Sequence, residues 1–152
     1  MPRITRSTRA GRAVGDRPGP VLLDTDVFSC LLKGPRQAAS WTPVVAGKHV
    51  LVSFVTVAEL FAWAEIHRWG SPRRNALARA ISTVTVIPPN QELIAEWASV
   101  RAESLRDGHP LGARSQTHDA WIAASARLYE LPLATGNGRH FAGVAGIALI
   151  DG

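Results

Sequence analysis

Val21-Leu22-Leu23-Asp24-Thr25-Asp26 decides the fold. A short apolar run that ends on a carboxylate reads as a buried strand with a polar group at its carboxyl end. Taken alone, Asp24 also fits the N-cap of a following helix. Working outward, the weakly periodic stretch from 26 to 46 predicts two short helices broken near Gly34-Pro35, and His49 to Ser53 a second strand. Thr56 to Trp69 is amphipathic, with Val57, Leu60, Phe61 and Ala64 on one face at helical spacing, and Gly70 ends it. Ser71-Pro72 predicts an N-cap followed by proline at the first helical position of a helix reaching about Ile81. Val84 to Ile87 is a third strand, stopped by Pro88-Pro89. Asn90 caps a helix running to about Asp107, and another helix spans about Thr117 to Tyr129. Pro132 to Thr135 and Ile147 to Ile150 complete five strands. Strands alternating with helices predict an α/β fold, a parallel sheet covered on both faces.

The 152 residues suit one domain, and a hydrophobic fraction of 46% is ordinary for a chain with a real core. Cys30 is the one cysteine, which excludes an internal disulfide framework and a cysteine-based zinc site. No apolar run approaches the roughly 20 residues that span a bilayer. The N-terminus is positive but lacks the apolar stretch of a signal peptide, so a cytoplasmic protein with no membrane role is expected. The net charge of +5 is unevenly placed. Arg3, Arg6, Arg9, Arg12 and Arg17 face only Asp16 within residues 1–20, while the remainder is near neutral. Residues 1–20 are expected to be a disordered basic tail ahead of a domain over 21–152. Net charge by itself therefore says little about nucleic acid.

In open α/β sheets, ligands bind beyond the carboxyl ends of the strands. Asp24 ends the first strand, Asn137 lies just past the fourth, and Asp119 falls in the first turn of the helix that feeds the fourth. Glu59 sits among Val57, Ala58, Leu60 and Phe61 with no lysine or arginine within a turn, and a buried carboxylate needs a partner. A divalent cation shared among Asp24, Glu59 and Asp119 resolves that problem. Carboxylates without cysteine or paired histidines favour hard ions, Mg²⁺ or Mn²⁺, which activate water and stabilise charge on a phosphodiester. Each residue also has an ordinary reading: Asp119 as a helix-dipole partner, Glu59 as a solvent-facing helix residue, and Ser53, Thr25 and Thr135 as caps or turn residues. The five histidines show no paired spacing. His118 and His140 are beside the expected site, where they can reach phosphate. The helical tryptophans, Trp63, Trp69, Trp97 and Trp121, read as core or dimer-face residues ahead of the alternative, base stacking.

Four stretches together resemble the PIN-domain ribonucleases, specifically the VapC-type toxins of toxin–antitoxin pairs. They are Leu22-Leu23-Asp24-Thr25-Asp26-Val27, Ser53-Phe54-Val55-Thr56-Val57-Ala58-Glu59-Leu60, Asp119-Ala120-Trp121-Ile122-Ala123-Ala124-Ser125-Ala126, and Leu131-Pro132-Leu133-Ala134-Thr135-Gly136-Asn137-Gly138-Arg139-His140-Phe141, closed by Gly146 to Asp151. The resemblance covers residues 21–151. It implies a three-layer α/β/α fold with a mostly parallel five-stranded sheet and metal-binding acids at Asp24, Glu59 and Asp119. Asn137 stands where the family commonly has an acid, and Asp26 where it often has asparagine, which suggests a supporting or turn role for Asp26. The resemblance also implies endoribonuclease activity on RNA, often structured RNA such as tRNA, a homodimer, and a cognate antitoxin whose C-terminal segment fills the acidic groove. Two rivals remain. A non-catalytic RNA-binding or interaction module differs by showing no metal-dependent cleavage. A phosphatase of the haloacid-dehalogenase type would use Asp24-Thr25-Asp26 as its nucleophile motif. It needs a late lysine, yet the only lysines are Lys33 and Lys48.

Overall fold

A computed structural model describes residues 19–152; the expected tail, up to residue 18, lies outside the described residues. The sheet is parallel throughout, with strand order β3-β2-β1-β4-β5. Its strands are β1 (Pro20–Leu23), β2 (His49–Ser53), β3 (Thr85–Ile87), β4 (Leu133–Ala134) and β5 (Leu149–Ile150). Parallel neighbours require long crossovers, and helices supply them. α1 (Thr25–Leu32), α2 (Pro35–Ala38) and α3 (Thr42–Val45) join β1 to β2. α4 (Phe54–Ile66) and α5 (Ser71–Ser82) lead to β3. From β3 the chain runs through α6 (Gln91–Arg106), two 3₁₀ turns and α7 (Thr117–Leu128) to β4, and α8 (Gly138–Phe141) precedes β5.

β1 is the central strand, and its register is Leu22 beside Leu51 on one side and beside Leu133 on the other. Val21, Leu22 and Leu23 are fully buried, with successive side chains on opposite faces of the sheet. Leu22 joins Leu93, Val100, Leu111, Ile122 and Phe141 in one core layer. Val21 and Leu23 join Val27, Phe28, Val52, Leu60 and Leu77 in the other. Two buried layers flanking one sheet are the three-layer arrangement expected.

Several local expectations are corrected. The segment after β1 makes three helices rather than two, because Pro35 and Pro43 each open a separate turn. α4 begins at Phe54 and buries Val55, Thr56, Leu60 and Ala64, whereas Phe61 is 52% exposed. Gly70, not Ser71, is the N-cap of α5, and it makes no side-chain cap bond; Pro72 sits one position further into the helix than expected. Asn90 does cap α6, accepting the Leu93 N–H at 2.8 Å. The short α8 lies between the fourth and fifth strands, where the sequence gives no expected element.

The approach to α7 is held firmly. Arg101 of α6 donates through Nη1 to the carbonyls of Leu111 and Ala113, both at 2.6 Å. Arg127 of α7 pairs with Glu96 and, at 2.6 Å, with Glu103 of α6. The first 3₁₀ turn presses on α6 so closely that a Cβ on Gly112 would meet the backbone N of Leu105 at 2.9 Å and its Cα at 3.0 Å. Backbone cannot swing aside as a side chain can. Gly112→Ala is therefore expected to lower stability by about 1–3 kcal/mol, the usual range for overpacking, read as a drop in denaturation midpoint with an unchanged slope.

Candidate active site

The sheet order creates one switch point. The chain leaves β1 toward β2 and β3, then returns to add β4 and β5 on the other side of β1. The connections therefore diverge beyond the carboxyl ends of β1 and β4, the place where open α/β sheets bind ligands. Asp24 and Thr135 lie there, each directly after its strand. Asp24 directly follows β1, and it is 4% exposed. Its Oδ1 accepts the Val27 N–H at 2.8 Å, capping α1. Its Oδ2 accepts the Thr135 hydroxyl at 2.5 Å. Thr135 in turn accepts the Asn137 N–H at 3.0 Å. Asp24 is thus both the helix cap and the innermost acid, so its two sequence readings are not exclusive.

Glu59 lies one turn into α4, and Asp119 in the first turn of α7. Both are partly buried, and each has a histidine partner. Glu59 Oε1 is 3.0 Å from His118 Nδ1, which supplies the partner that neighbouring residues along the helix could not. Asp119 Oδ2 is 3.1 Å from His140 Nδ1, and the Asn137 amide is 3.0 Å from the same ring nitrogen. That nitrogen carries at most one hydrogen. Bearing it, Nδ1 donates to Asp119; bare, it accepts from Asn137. Asn137 therefore turns its amide nitrogen to His140 beside Asp119.

Burial pushes the Asp24 carboxyl above the ordinary range, and the charges of Asp26 and Asp119 push the same way, against the hydrogen bonds from Thr135 and Val27. Burial likewise raises Glu59, with Asp119 and Asp26 adding to it, while His118 and a hydrogen bond from Thr25 pull it down. These mutual effects bring Asp24, Asp26, Glu59 and Asp119 into one electrostatic cluster. Asp26 is exposed in the first turn of α1, and it bears on both buried acids more than a turn role implies.

Three residues weighed lightly in the sequence belong to this network: Thr135, His118 and His140. The available signal was position, since Thr135 ends a strand at the switch point and His118 adjoins Asp119. Among the described residues, no group of three or more His, Cys, Asp or Glu side chains is disposed to hold one metal ion. Both Asp24 oxygens are engaged by Val27 and Thr135, and Glu59 and Asp119 each turn one oxygen to a histidine. The donor chemistry nevertheless fits a hard cation, being carboxylate oxygens whose own repulsion a positive ion would relieve.

The chain belongs to the PIN-domain family, whose model matches residues 21–147. Within that class it is 32% identical over 123 residues to a protein named ribonuclease VapC2 from Haemophilus influenzae, covering 79% of this chain and 88% of that one. Among solved structures, it is similar to a toxin–antitoxin complex from Klebsiella pneumoniae, at 26% identity and a TM-score of 0.62, over 84% of this chain and 95% of that one. FitAcB from Neisseria gonorrhoeae matches at 26% identity and a TM-score of 0.66, over 86% and 96% of the respective chains. VapBC2 from Rickettsia felis, at 19% identity and a TM-score of 0.73 over 87% and 98%, shares the fold.

The raised Asp24 carboxyl sets a pH test. A carboxyl that holds its proton more tightly in the folded than in the unfolded chain adds most stability below the ordinary aspartate range, and that contribution is lost as pH rises through the raised value. Asp24→Asn removes the dependence and keeps an oxygen for the Val27 cap. Thermal melts should therefore show Asp24→Asn melting higher than the native chain at neutral pH, with the gap closing as the pH falls through the raised value and gone by about pH 4. A lower melting point at neutral pH would mean that the two hydrogen bonds outweigh burial.

Proposed function

We propose that this protein is a Mg²⁺- or Mn²⁺-dependent endoribonuclease, the toxin of a type II toxin–antitoxin pair, acting in the cytoplasm. The observation that carries the reading is that Asp24, at the switch point between β1 and β4, and the half-buried Glu59 both have raised carboxyls on which the charge of Asp119 bears. The ribonuclease name of a relative 32% identical supports the substrate class. A toxin–antitoxin complex among the structural neighbours supports a cognate antitoxin. Exposed Phe61, Ile66, Ile94 and Leu105 leave apolar surface on α4 and α6, which supports an assembled form, a homodimer closed by the antitoxin.

Asp24, Glu59 and Asp119 would hold the cation. When bound, it lowers the pKa of a coordinated water and stabilises charge on the phosphodiester. The protein's own groups set the geometry. Thr135 fixes the Asp24 carboxylate, and its own orientation is fixed by the Asn137 N–H. Asn137 and His140 flank Asp119, and His118 flanks Glu59.

Purified protein should cut RNA only with Mg²⁺ or Mn²⁺, lose activity to EDTA, and leave a 5′-phosphate and a 3′-hydroxyl. A cyclic phosphate at the cut would sink the water mechanism, and metal-dependent binding without cleavage would favour the non-catalytic alternative. Asp24→Asn, Glu59→Gln and Asp119→Asn should each abolish cleavage in folded protein. Thr135→Val, which removes the support of Asp24, should cost about 10–100-fold in activity or metal affinity.

Asn137 gives a separate measurement. Asn137→Asp places another carboxylate beside Asp119, so less free Mn²⁺ should be needed for half-maximal cleavage. Without metal the added repulsion should lower the melting temperature. Unchanged metal titrations and melts would place Asn137 outside the site.

A further inference from the structure

Hydrolysis by water makes no use of the ribose 2′-hydroxyl, so a nuclease of that mechanism tells RNA from DNA only by touching that hydroxyl or the sugar shape it imposes. The reader must be a group beside the carboxylates with hydrogen-bonding capacity to spare. Most polar side chains near the acids are already engaged. Thr25 and Thr56 bond each other at 2.9 Å, Ser53 accepts the Val55 N–H at 3.2 Å, and Thr135 serves Asp24 and Asn137. His118 is different. Its Nδ1 stands 3.0 Å from Glu59 Oε1, yet its side chain is 63% exposed. Nε2, on the far edge of the ring, bonds to nothing among the described residues.

His109 shows the contrast. Its Nδ1 accepts the Leu111 N–H at 3.1 Å and its Nε2 pairs with the Ala142 carbonyl at 2.7 Å, so that ring is wholly used in holding the chain. The His118 ring is anchored on one edge and open on the other. Its backbone is held as well. Thr117 Oγ1 donates to the Arg114 carbonyl at 2.7 Å, and Arg101 fixes the carbonyls of Leu111 and Ala113 just before. In sequence His118 adjoins Asp119, and in space it meets Glu59. A phosphodiester served by those two acids therefore has the open edge of this imidazole for a neighbour. The 2′-hydroxyl is the substrate hydroxyl closest to that phosphodiester, being carried on the carbon beside the one whose oxygen leaves phosphorus.

We infer that His118 is the specificity-determining residue for ribose, its Nε2 pairing with the 2′-hydroxyl of the nucleotide on the 5′ side of the cut. The inference rests on the nuclease reading above and adds the group that tells RNA from DNA. Glu59 as an anion only accepts, so the Nδ1 that faces it carries a hydrogen, which leaves Nε2 bare in the neutral ring. A bare Nε2 accepts from the hydroxyl and a protonated one donates to it, because a hydroxyl does both. A phosphate oxygen only accepts, so it suits the protonated ring alone. The hydroxyl fits either state, and that is what favours it over phosphate. Deoxyribose offers the ring no partner at that carbon.

The test uses the full chain and two oligoribonucleotides that differ by a single oxygen atom. One is ribose throughout, and the other is 2′-deoxy only at the nucleotide 5′ of the cut mapped for the native chain. At saturating Mn²⁺ the native chain should cut the substituted strand with kcat/KM about tenfold lower, the effect of losing one hydrogen bond. An asparagine amide overlays the Nδ1 edge of imidazole, and a glutamine amide the Nε2 edge. His118→Asn therefore keeps a donor toward Glu59 but drops Nε2, and it should cut both strands equally well. His118→Gln should retain part of the preference. Mn²⁺ affinity, read by electron paramagnetic resonance, should stay near native in His118→Asn, which separates ribose reading from support of Glu59. With Asp24→Asn barring cleavage, fluorescence anisotropy should show tighter binding of the all-ribose strand, and adding His118→Asn should remove the difference. A native chain that cuts both strands equally, or a His118→Asn chain that keeps the full preference, overturns the inference. Failure of the nuclease reading looks different: neither strand is cut with either cation, while the binding comparison, which needs no turnover, still decides whether His118 reads ribose.

Discussion

The hydrogen bond from the Thr135 hydroxyl to Asp24 joins the carboxyl ends of the two central strands, and the site is assembled around it. A carboxylate as buried as Asp24 is expensive unless its oxygens are satisfied. One oxygen is met locally, by the N-terminus of α1, whose unpaired N–H groups and dipole favour negative charge. The other is met from β4, and the same threonine takes the Asn137 N–H. The bond therefore fixes an acid, a helix start and the loop into α8 together. Loss of any one partner leaves another polar group buried without its match.

What brings Glu59 and Asp119 to that point is topology more than local preference. Each belongs to a helix that starts on the carboxyl side of the sheet, α4 directly after β2 and α7 on the way to β4. The start of α7 is defined by its neighbours. It opens without a side-chain cap bond, and Arg101 instead gathers the carbonyls of the preceding turns while Arg127 clips α7 to α6. Asp119 is placed by a packed helix pair and by His140, which reaches it from α8.

How much of this is legible in the chain follows the range of each interaction. Val21-Leu22-Leu23-Asp24 announces a strand and its acid within four residues, and Asn90 announces a helix start within one turn; both hold in the structure. Parallel pairing follows from the alternation of strands and helices, but the strand order does not, because register depends on packing between distant segments. The same limit hides the function of Thr135. Its partner lies 111 residues away, so along the sequence it looks like any turn threonine. His118 and His140 have no spacing that marks a pair, since they serve different acids from different helices. The misread face of α4 has another cause. Its residues are apolar nearly all round, so periodicity does not single out Leu60 and Ala64 from Phe61.

That same helix shows where folding and function part. α4 leaves Phe61 and Ile66 52% and 70% exposed, yet half-buries Glu59 near the charges of Asp119 and Asp26. A helix serving the core alone would do the reverse on both faces. Local rules tend to be broken at functional sites, where the rest of the fold over-determines the structure. Here the over-determination is visible: Leu60 and Ala64 are buried between the offending positions, and Thr56 is locked to Thr25. The core rows hold the helix in place, so Glu59 can keep an unfavourable position and the exposed apolar side chains can stay free to meet a partner.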